Sequence, residues 1–246
     1  TSLSADQLRQ LMGTVRQNFD LSKVVEYTVE AGRPDCTDAE KLRIIKQYGA
    51  TRISINPQTF SDEVLRNIGR RHTAQDILDC YRTARRVGHD NINMDLIAGL
   101  PQDSVEGFRD SLEEVLALRP ENITVHTLAM KKGSRLMEEG GALPSGEETG
   151  RMVDLSLEAL EGAGYRPYYL YRQKYMSGGL ENVSWCLPGT ENHYNIIMME
   201  ELQSVLSLGA GGGTKLVDRS SRRIVRLTNP KYPHDYLAMS AKVLEQ

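Results

Sequence analysis

The chain alternates between capped amphipathic helices and short β-branched runs, and this alternation limits the folds open to it. Helix starts are marked at Ser4-Ala-Asp-Gln7, Thr37-Asp-Ala-Glu40 and Ser145-Gly-Glu-Glu148. In each, a hydroxyl can accept from an orphan backbone N–H while the Gln or Glu three residues on reaches back. Further starts fall at Ser61, Thr73 and Ser104, the last followed by an apolar stripe of Val105, Phe108, Leu112, Val115 and Leu116. Between the helices lie four strand candidates, Val24–Glu30, Thr51–Asn56, Asn91–Ile97 and Asn122–Thr127. The order helix, strand, helix, strand, two helices, strand, helix, strand predicts right-handed crossovers and a parallel sheet. Because the order opens on a helix, a further strand is expected before Thr1.

Past Met130 the pattern changes. Lys131–Pro144 is rich in Gly, Lys and Glu, and five of the eleven tyrosines fall within Tyr165–Tyr175. Two short strand candidates follow, Lys215–Asp218 and Arg222–Thr228, and then a helix after Pro230. The expected division is therefore an α/β barrel part over residues 1–130 and a smaller α+β lobe over residues 131–246.

Composition narrows the partners. At 246 residues and 39% hydrophobic, the chain is long enough to bury a core of its own. The net charge is −3 and no basic stripe stands out, which argues against nucleic acid. No apolar run approaches the ~18 residues of a membrane span. Cys36, Cys80 and Cys186 are odd in number and far apart. They exclude a disulfide framework and a clustered cysteine metal motif, and they point to a reducing compartment, the cytoplasm.

Strands of a parallel sheet are covered on both faces and read as mostly apolar. Glu30, Gln58, Asp95 and His126 break that expectation. Burying such groups costs several kcal/mol unless each is paired. In a βα barrel the C-terminal strand ends converge on one mouth, so Glu30, Gln58 and Asp95 point at one pocket. His126 alone reads as a satisfied core histidine. Arg70-Arg71-His72 follows Gly69 as a compact cationic turn suited to an anionic group. The run Gly209-Ala-Gly-Gly-Gly213 fits neither common phosphate motif, because Thr214 stands where each needs a glycine.

Several stretches together resemble a known family. They are Val29-Glu-Ala-Gly-Arg-Pro-Asp35, Arg52-Ile-Ser-Ile-Asn-Pro-Gln-Thr-Phe60, Ile68-Gly-Arg-Arg-His72, Asn91-Ile-Asn-Met-Asp-Leu-Ile-Ala-Gly-Leu-Pro101 and Tyr168-Tyr-Leu-Tyr-Arg-Gln-Lys-Tyr175. The family is that of the radical SAM oxygen-independent coproporphyrinogen III dehydrogenases, and within it the HemZ type. The Asn91–Pro101 block marks the porphyrin branch, which includes haem chaperones. The resemblance implies a partial (β/α)6 barrel with a C-terminal lobe, here without its first two strands. It also implies S-adenosylmethionine (SAM) and a [4Fe–4S] cluster as cofactors. The family's cluster loop, Cys-x3-Cys-x2-Cys, has no counterpart among these three cysteines, so the 246 residues alone are expected to be inactive and to hold no metal. The SAM contacts implied by the resemblance are Glu30, Gln58, Arg70 and Asp95. The implied substrate is coproporphyrinogen III or a related porphyrin, with an electron donor as a further partner. Its propionates call for cations, for which Arg33, Arg172 and Lys174 are the candidates.

A second reading is a non-enzymatic haem chaperone of the same branch, with His193 in Glu191-Asn-His-Tyr-Asn195 as the ligand. A third is another radical SAM chemistry. With its preceding strands missing, the Val24–Glu30 strand is expected to be an exposed edge prone to pairing.

Overall fold

A computed structural model of the chain describes residues 2–129, 143–171, 179–221 and 223–244. It divides into two compact units, Thr1–Glu191 and Asn192–Gln246. The first is built on a six-stranded sheet of β1 (Thr28–Gly32), β2 (Arg52–Gln58), β3 (Ile92–Ala98), β4 (Asn122–Thr127), β5 (Arg166–Tyr171) and β6 (Asn182–Cys186). The strand order is β1-β2-β3-β4-β6-β5. β1 to β4 are mutually parallel. β6 runs antiparallel to β4, and β5 antiparallel to β6, so β5 points the same way as β1 to β4.

The helices of this unit are α1 (Ala5–Asn18), α2 (Ala39–Gln47), α3 (Asp62–Asn67), α4 (Ala74–Val87), α5 (Val105–Leu118) and α6 (Gly146–Gly162). Their starts follow the local chemistry. Ser4, Thr73 and Ser145 make reciprocal capping boxes, and Ser61 and Ser104 accept from the third residue of their helices. One start differs. α2 is capped by Asp38, whose carboxylate accepts from Lys41 N, while the Thr37 hydroxyl donates to Ala31 O at 2.7 Å. Thr37 thus ties the end of β1 to the loop before α2.

Outside the register shifts near Gly32, Gln58 and Pro167, successive side chains alternate across the sheet, as the period of two requires. Ala31, Ile53, Ile55, Ile92, Met94, Leu96, Ile123, Val125 and Trp185 lie on one side and pack with Leu42, Ile45, Ile77, Phe108, Leu112 and Met152 of the helices. The opposite side is polar, and it carries the candidate site.

The compact units divide after Glu191, whereas the sequence pattern changes after residue 130; β5 and β6, within residues 131–246, extend the sheet beyond β4. The second unit, Asn192–Gln246, holds α7 (His193–Met199), the hairpin β7–β8 (Gly213–Asp218 and Arg223–Thr228) and α8 (Pro233–Leu244). Among the described residues no helix is long and apolar enough to cross a membrane.

Candidate functional site

The polar side of the sheet is a ladder of hydrogen-bonded side chains running from β1 towards β5. Asn93 on β3 is its hub. Its amide nitrogen donates to Asp95 Oδ1 at 2.6 Å and to Ser54 Oγ at 2.9 Å, while its oxygen accepts from Thr124 Oγ1 at 3.2 Å. Ser54 donates to Asn56 Oδ1 at 2.6 Å, and Thr124 Oγ1 lies 3.0 Å from Ser184 Oγ on β6. His126 Nε2 lies 3.6 Å from Asp95 Oδ2, and its Nδ1 lies 3.5 Å from the Tyr171 hydroxyl on β5. Tyr171 stacks on Tyr169 with ring centroids 5.5 Å apart. Polar groups this close to a core keep their place only when each is paired, and here most are.

Glu30 and Asp95, the two expected carboxylates, face this same side. Glu30 is solvent-accessible, yet enough protein surrounds its carboxylate to push its pKa up. Burial is the main cause and the Asp95 charge the second. Arg52 and hydrogen bonding with Asn56 and Ser54 pull the other way. Like charges brought together on one surface behave in this way, and a group that donates to both relieves them. Arg52 itself is only 4% exposed, and its Nε has no hydrogen-bond partner.

Gln58 and Arg70 belong to the rim at the C-terminal strand ends. Gln58 closes β2 after a break in its register with β3, and its φ of 73° places a non-glycine residue in the left-handed region. Such backbone strain clusters at functional sites. Arg70 follows Gly69, whose φ of 71° turns the chain out of α3. Its guanidinium is half-buried, and burial and then the neighbouring Arg33 push its pKa down, against the pull of Asp35. A half-buried cation beside a second cation suits an anionic ligand group. Arg33 is partly committed, since its Nη2 lies 3.1 Å from Asp35 Oδ2 and 3.4 Å from Cys36 Sγ. Arg172 and Lys174 lie outside the described residues.

The structure thus brings Glu30 and Asp95 together on the polar ladder, and it places Arg70 beside Arg33 and Asp35. His126 departs from its reading as a core histidine. Its side chain is 28% exposed and engages Asp95 and Tyr171. The sequence reading also passed over Ser54, Asn56, Asn93, Thr124 and Ser184. The signal for the first four was the period of two in Ile53-Ser-Ile-Asn56, Ile92-Asn-Met-Asp95 and Ile123-Thr-Val-His126. A cleft of about 570 Å³ lies by Phe19, Tyr27 and Tyr48, before the strands begin, and holds none of the expected site residues.

The ladder supplies acceptors for hydroxyl or ammonium groups, and Arg70 supplies a cation for a carboxylate, so these residues fit a SAM-like ligand. A cluster is another matter. Cys80 and Cys186 are buried, and burial pushes both thiols up to about 12, away from the thiolate that ligation needs. Among the described residues no group of three or more His, Cys, Asp or Glu could hold a metal ion. The cysteines of this chain do not fit an iron–sulfur cluster.

Comparison with known proteins gives the class. Residues 5–115 match the radical SAM superfamily. Those residues carry a radical SAM domain, and members of the superfamily use SAM and a [4Fe–4S] cluster. Within the superfamily, the proteins this chain is similar to include coproporphyrinogen oxidases and haem chaperones. It is 43% identical over 239 residues to the oxygen-independent coproporphyrinogen-III oxidase-like protein HemZ of Bacillus subtilis, covering 96% of this chain and 48% of that one. It is 32% identical over 231 residues to the haem chaperone HemW of the same organism, covering 89% and 56%. Its fold is similar to that of the coproporphyrinogen III oxidase HemN of Escherichia coli, with a TM-score of 0.73 at 21% identity over 94% of this chain and 52% of that one. The chain spans about half the length of the curated relatives it matches.

Proposed function

We propose that this chain forms the SAM-facing wall of a radical SAM oxidoreductase that acts on coproporphyrinogen III or a related porphyrin in haem biosynthesis. The observation that carries the reading is the shared face of Glu30 and Asp95, two carboxylates linked through Asn93 and Ser54. The likeness to HemZ supports the substrate class.

SAM, when bound, supplies the adenosyl group that the superfamily's radical chemistry uses. The chain's own residues bind and orient it. Glu30 and Asp95 accept from its ribose hydroxyls and ammonium, Arg70 pairs with its carboxylate, and Gln58 adds an amide at the rim. Each propionate that becomes a vinyl group loses one hydrogen atom, one electron and CO2, and an acceptor must take the electron. Arg33 is the described candidate for a propionate partner, with Arg172 and Lys174 proposed beside it. Because the cysteines here do not suit a cluster, SAM cleavage by these 246 residues alone is not expected.

The test has two parts. Calorimetry on the chain should show SAM binding that weakens in Asp95→Asn and Arg70→Ala. A longer form carrying a cysteine loop, reconstituted without oxygen, should release 5′-deoxyadenosine in a coproporphyrinogen-dependent way. Cleavage that ignores the substrate would sink the dehydrogenase reading. The likeness to HemW supports a second reading, haem binding without turnover. Stoichiometric haem binding lost in His193→Ala would favour it.

A further inference from the structure

We propose that His126 is a positioning residue that locks the Asp95 carboxylate in place, and that Tyr171 fixes the tautomer in which it does so. The idea deepens the reading above, since it takes Asp95 as a ligand-facing carboxylate. It arises from one juxtaposition across three strands. Asp95 pairs in register with Thr124 and Ile97 with His126, so the Asp95 and His126 side chains are diagonal neighbours on the polar side. Each Asp95 oxygen has its own neighbour within the sheet. Asn93 donates to Oδ1 at 2.6 Å, and His126 Nε2 approaches Oδ2 at 3.6 Å. A carboxylate has about four lone-pair sites, so both oxygens keep capacity for ligand hydroxyls.

The far side of the imidazole decides how it is protonated. Nδ1 lies 3.5 Å from the Tyr171 hydroxyl, and the rings meet edge to face at 71°. A neutral imidazole has one N–H and one acceptor nitrogen. With the proton on Nδ1, the Nε2 lone pair would face the Asp95 carboxylate, which is repulsive. With the proton on Nε2, that N–H points at Asp95 Oδ2, and Nδ1 accepts from the Tyr171 hydroxyl. One tautomer therefore serves both neighbours. The His126–Tyr171 distance is at the limit for a hydrogen bond and the His126–Asp95 distance just beyond it, and on this proposal both shorten when a ligand draws the site together. Tyr171 is held in turn by its stacking on Tyr169. The chain of contacts therefore runs from Asp95 through His126 to the tyrosine strand.

The first measurement needs no ligand. The ¹⁵N spectrum of the His126 ring in the full chain should show the Nε2–H tautomer, and its Nδ1 resonance should move in Tyr171→Phe. An Nδ1–H ring, or a ring indifferent to Tyr171→Phe, would overturn the proposal. The second measurement is SAM affinity by calorimetry. His126→Ala should weaken it about tenfold, the scale of one hydrogen bond to a charged group. His126→Gln, which keeps an N–H near the Nε2 position and guards against a folding defect, should restore most of that loss. Tyr171→Phe should weaken binding in the wild-type background and add little to His126→Ala. Equal losses in the Ala and Gln variants, or additive losses with Tyr171→Phe, would also overturn it. If the unaltered chain binds no SAM, the SAM reading fails, while the nitrogen signature still decides the role of His126.

Discussion

Asn93 has no slack. Its amide nitrogen serves Asp95 and Ser54, its oxygen serves Thr124, and the residue is buried. Replacing it with alanine removes one partner each from Ser54 and Thr124, which keep Asn56 and Ser184, and takes away the amide donor to Asp95. A hydrogen bond lost to a charged group costs about 1.5–3 kcal/mol. Asn93→Ala should therefore lower the urea midpoint by that equivalent without changing the slope. An unchanged midpoint would show that the ladder has no hub. Asp103 makes a separate prediction about pH. Burial pushes its carboxyl from the usual 3.8 up to about 6, against one hydrogen bond from Ser104 N, and its Oδ2 has no partner. Between those two values the unfolded chain has released the proton while the folded chain still holds it. The unfolded state then binds fewer protons, so stability falls as pH rises from about 4 to 6 and stays lowered above. Thermal unfolding of Asp103→Asn should lose that pH-dependent fall, and an identical fall in the variant would exclude Asp103 as its source. Glu30 and Asp95 stood out in the sequence because a charge inside a strand is costly. Asn93, Ser54 and Thr124 did not, because small polar residues are common in strands and only their partners reveal their role.

Helix starts were legible because a cap is local chemistry. Ser4, Thr73 and Ser145 carry donor and acceptor within four residues. Thr37 was misread because its hydroxyl is claimed by Ala31 O, a partner the local pattern does not show. β5 and β6 were missed for a related reason. Arg166-Pro-Tyr-Tyr-Leu-Tyr171 hardly alternates, and Asn182–Cys186 is short, so only the pairing of β6 with β4 and of β5 with β6 defines them. Contact between elements also explains Gly99, just beyond β3. Its φ is 83°, and a Cβ there would lie 3.0 Å from Thr149 Cγ2 and Oγ1 on α6. Its N–H lies 3.3 Å from Met152 Sδ of the same helix. Gly99→Ala meets backbone strain and a close contact together. It should destabilise the chain by about 1–3 kcal/mol, read by thermal or urea unfolding. A gain in stability would mean that α6 can retreat from β3.

The division between units could not be read from sequence, because it depends on which strands join which sheet. The prediction of an exposed edge could be read, and the sheet order bears on it. β1 ends the sheet with β2 as its sole neighbour among the described strands, and β5 ends the other side. The two edges are not equivalent. β5 carries Pro167, followed by a shift in its register with β6, and both features resist further pairing. β1 is regular from Thr28 to Glu30 and shifts register only at Gly32. Beside it lie exposed apolar residues, Val25 at 78% and Phe19 at 49%. Unpaired strand backbone next to apolar side chains is the combination that recruits a second chain. Sedimentation velocity on the 246-residue chain should therefore show association that grows across the micromolar range. Val25→Lys places a charge beside that edge and leaves the core untouched, so it should shift the chain towards monomer with little change in its unfolding midpoint. If the unaltered chain sediments as one monomer at every concentration, the β1 edge is protected by its own side chains. If Val25→Lys associates as strongly as the parent, the contact lies elsewhere on the molecule.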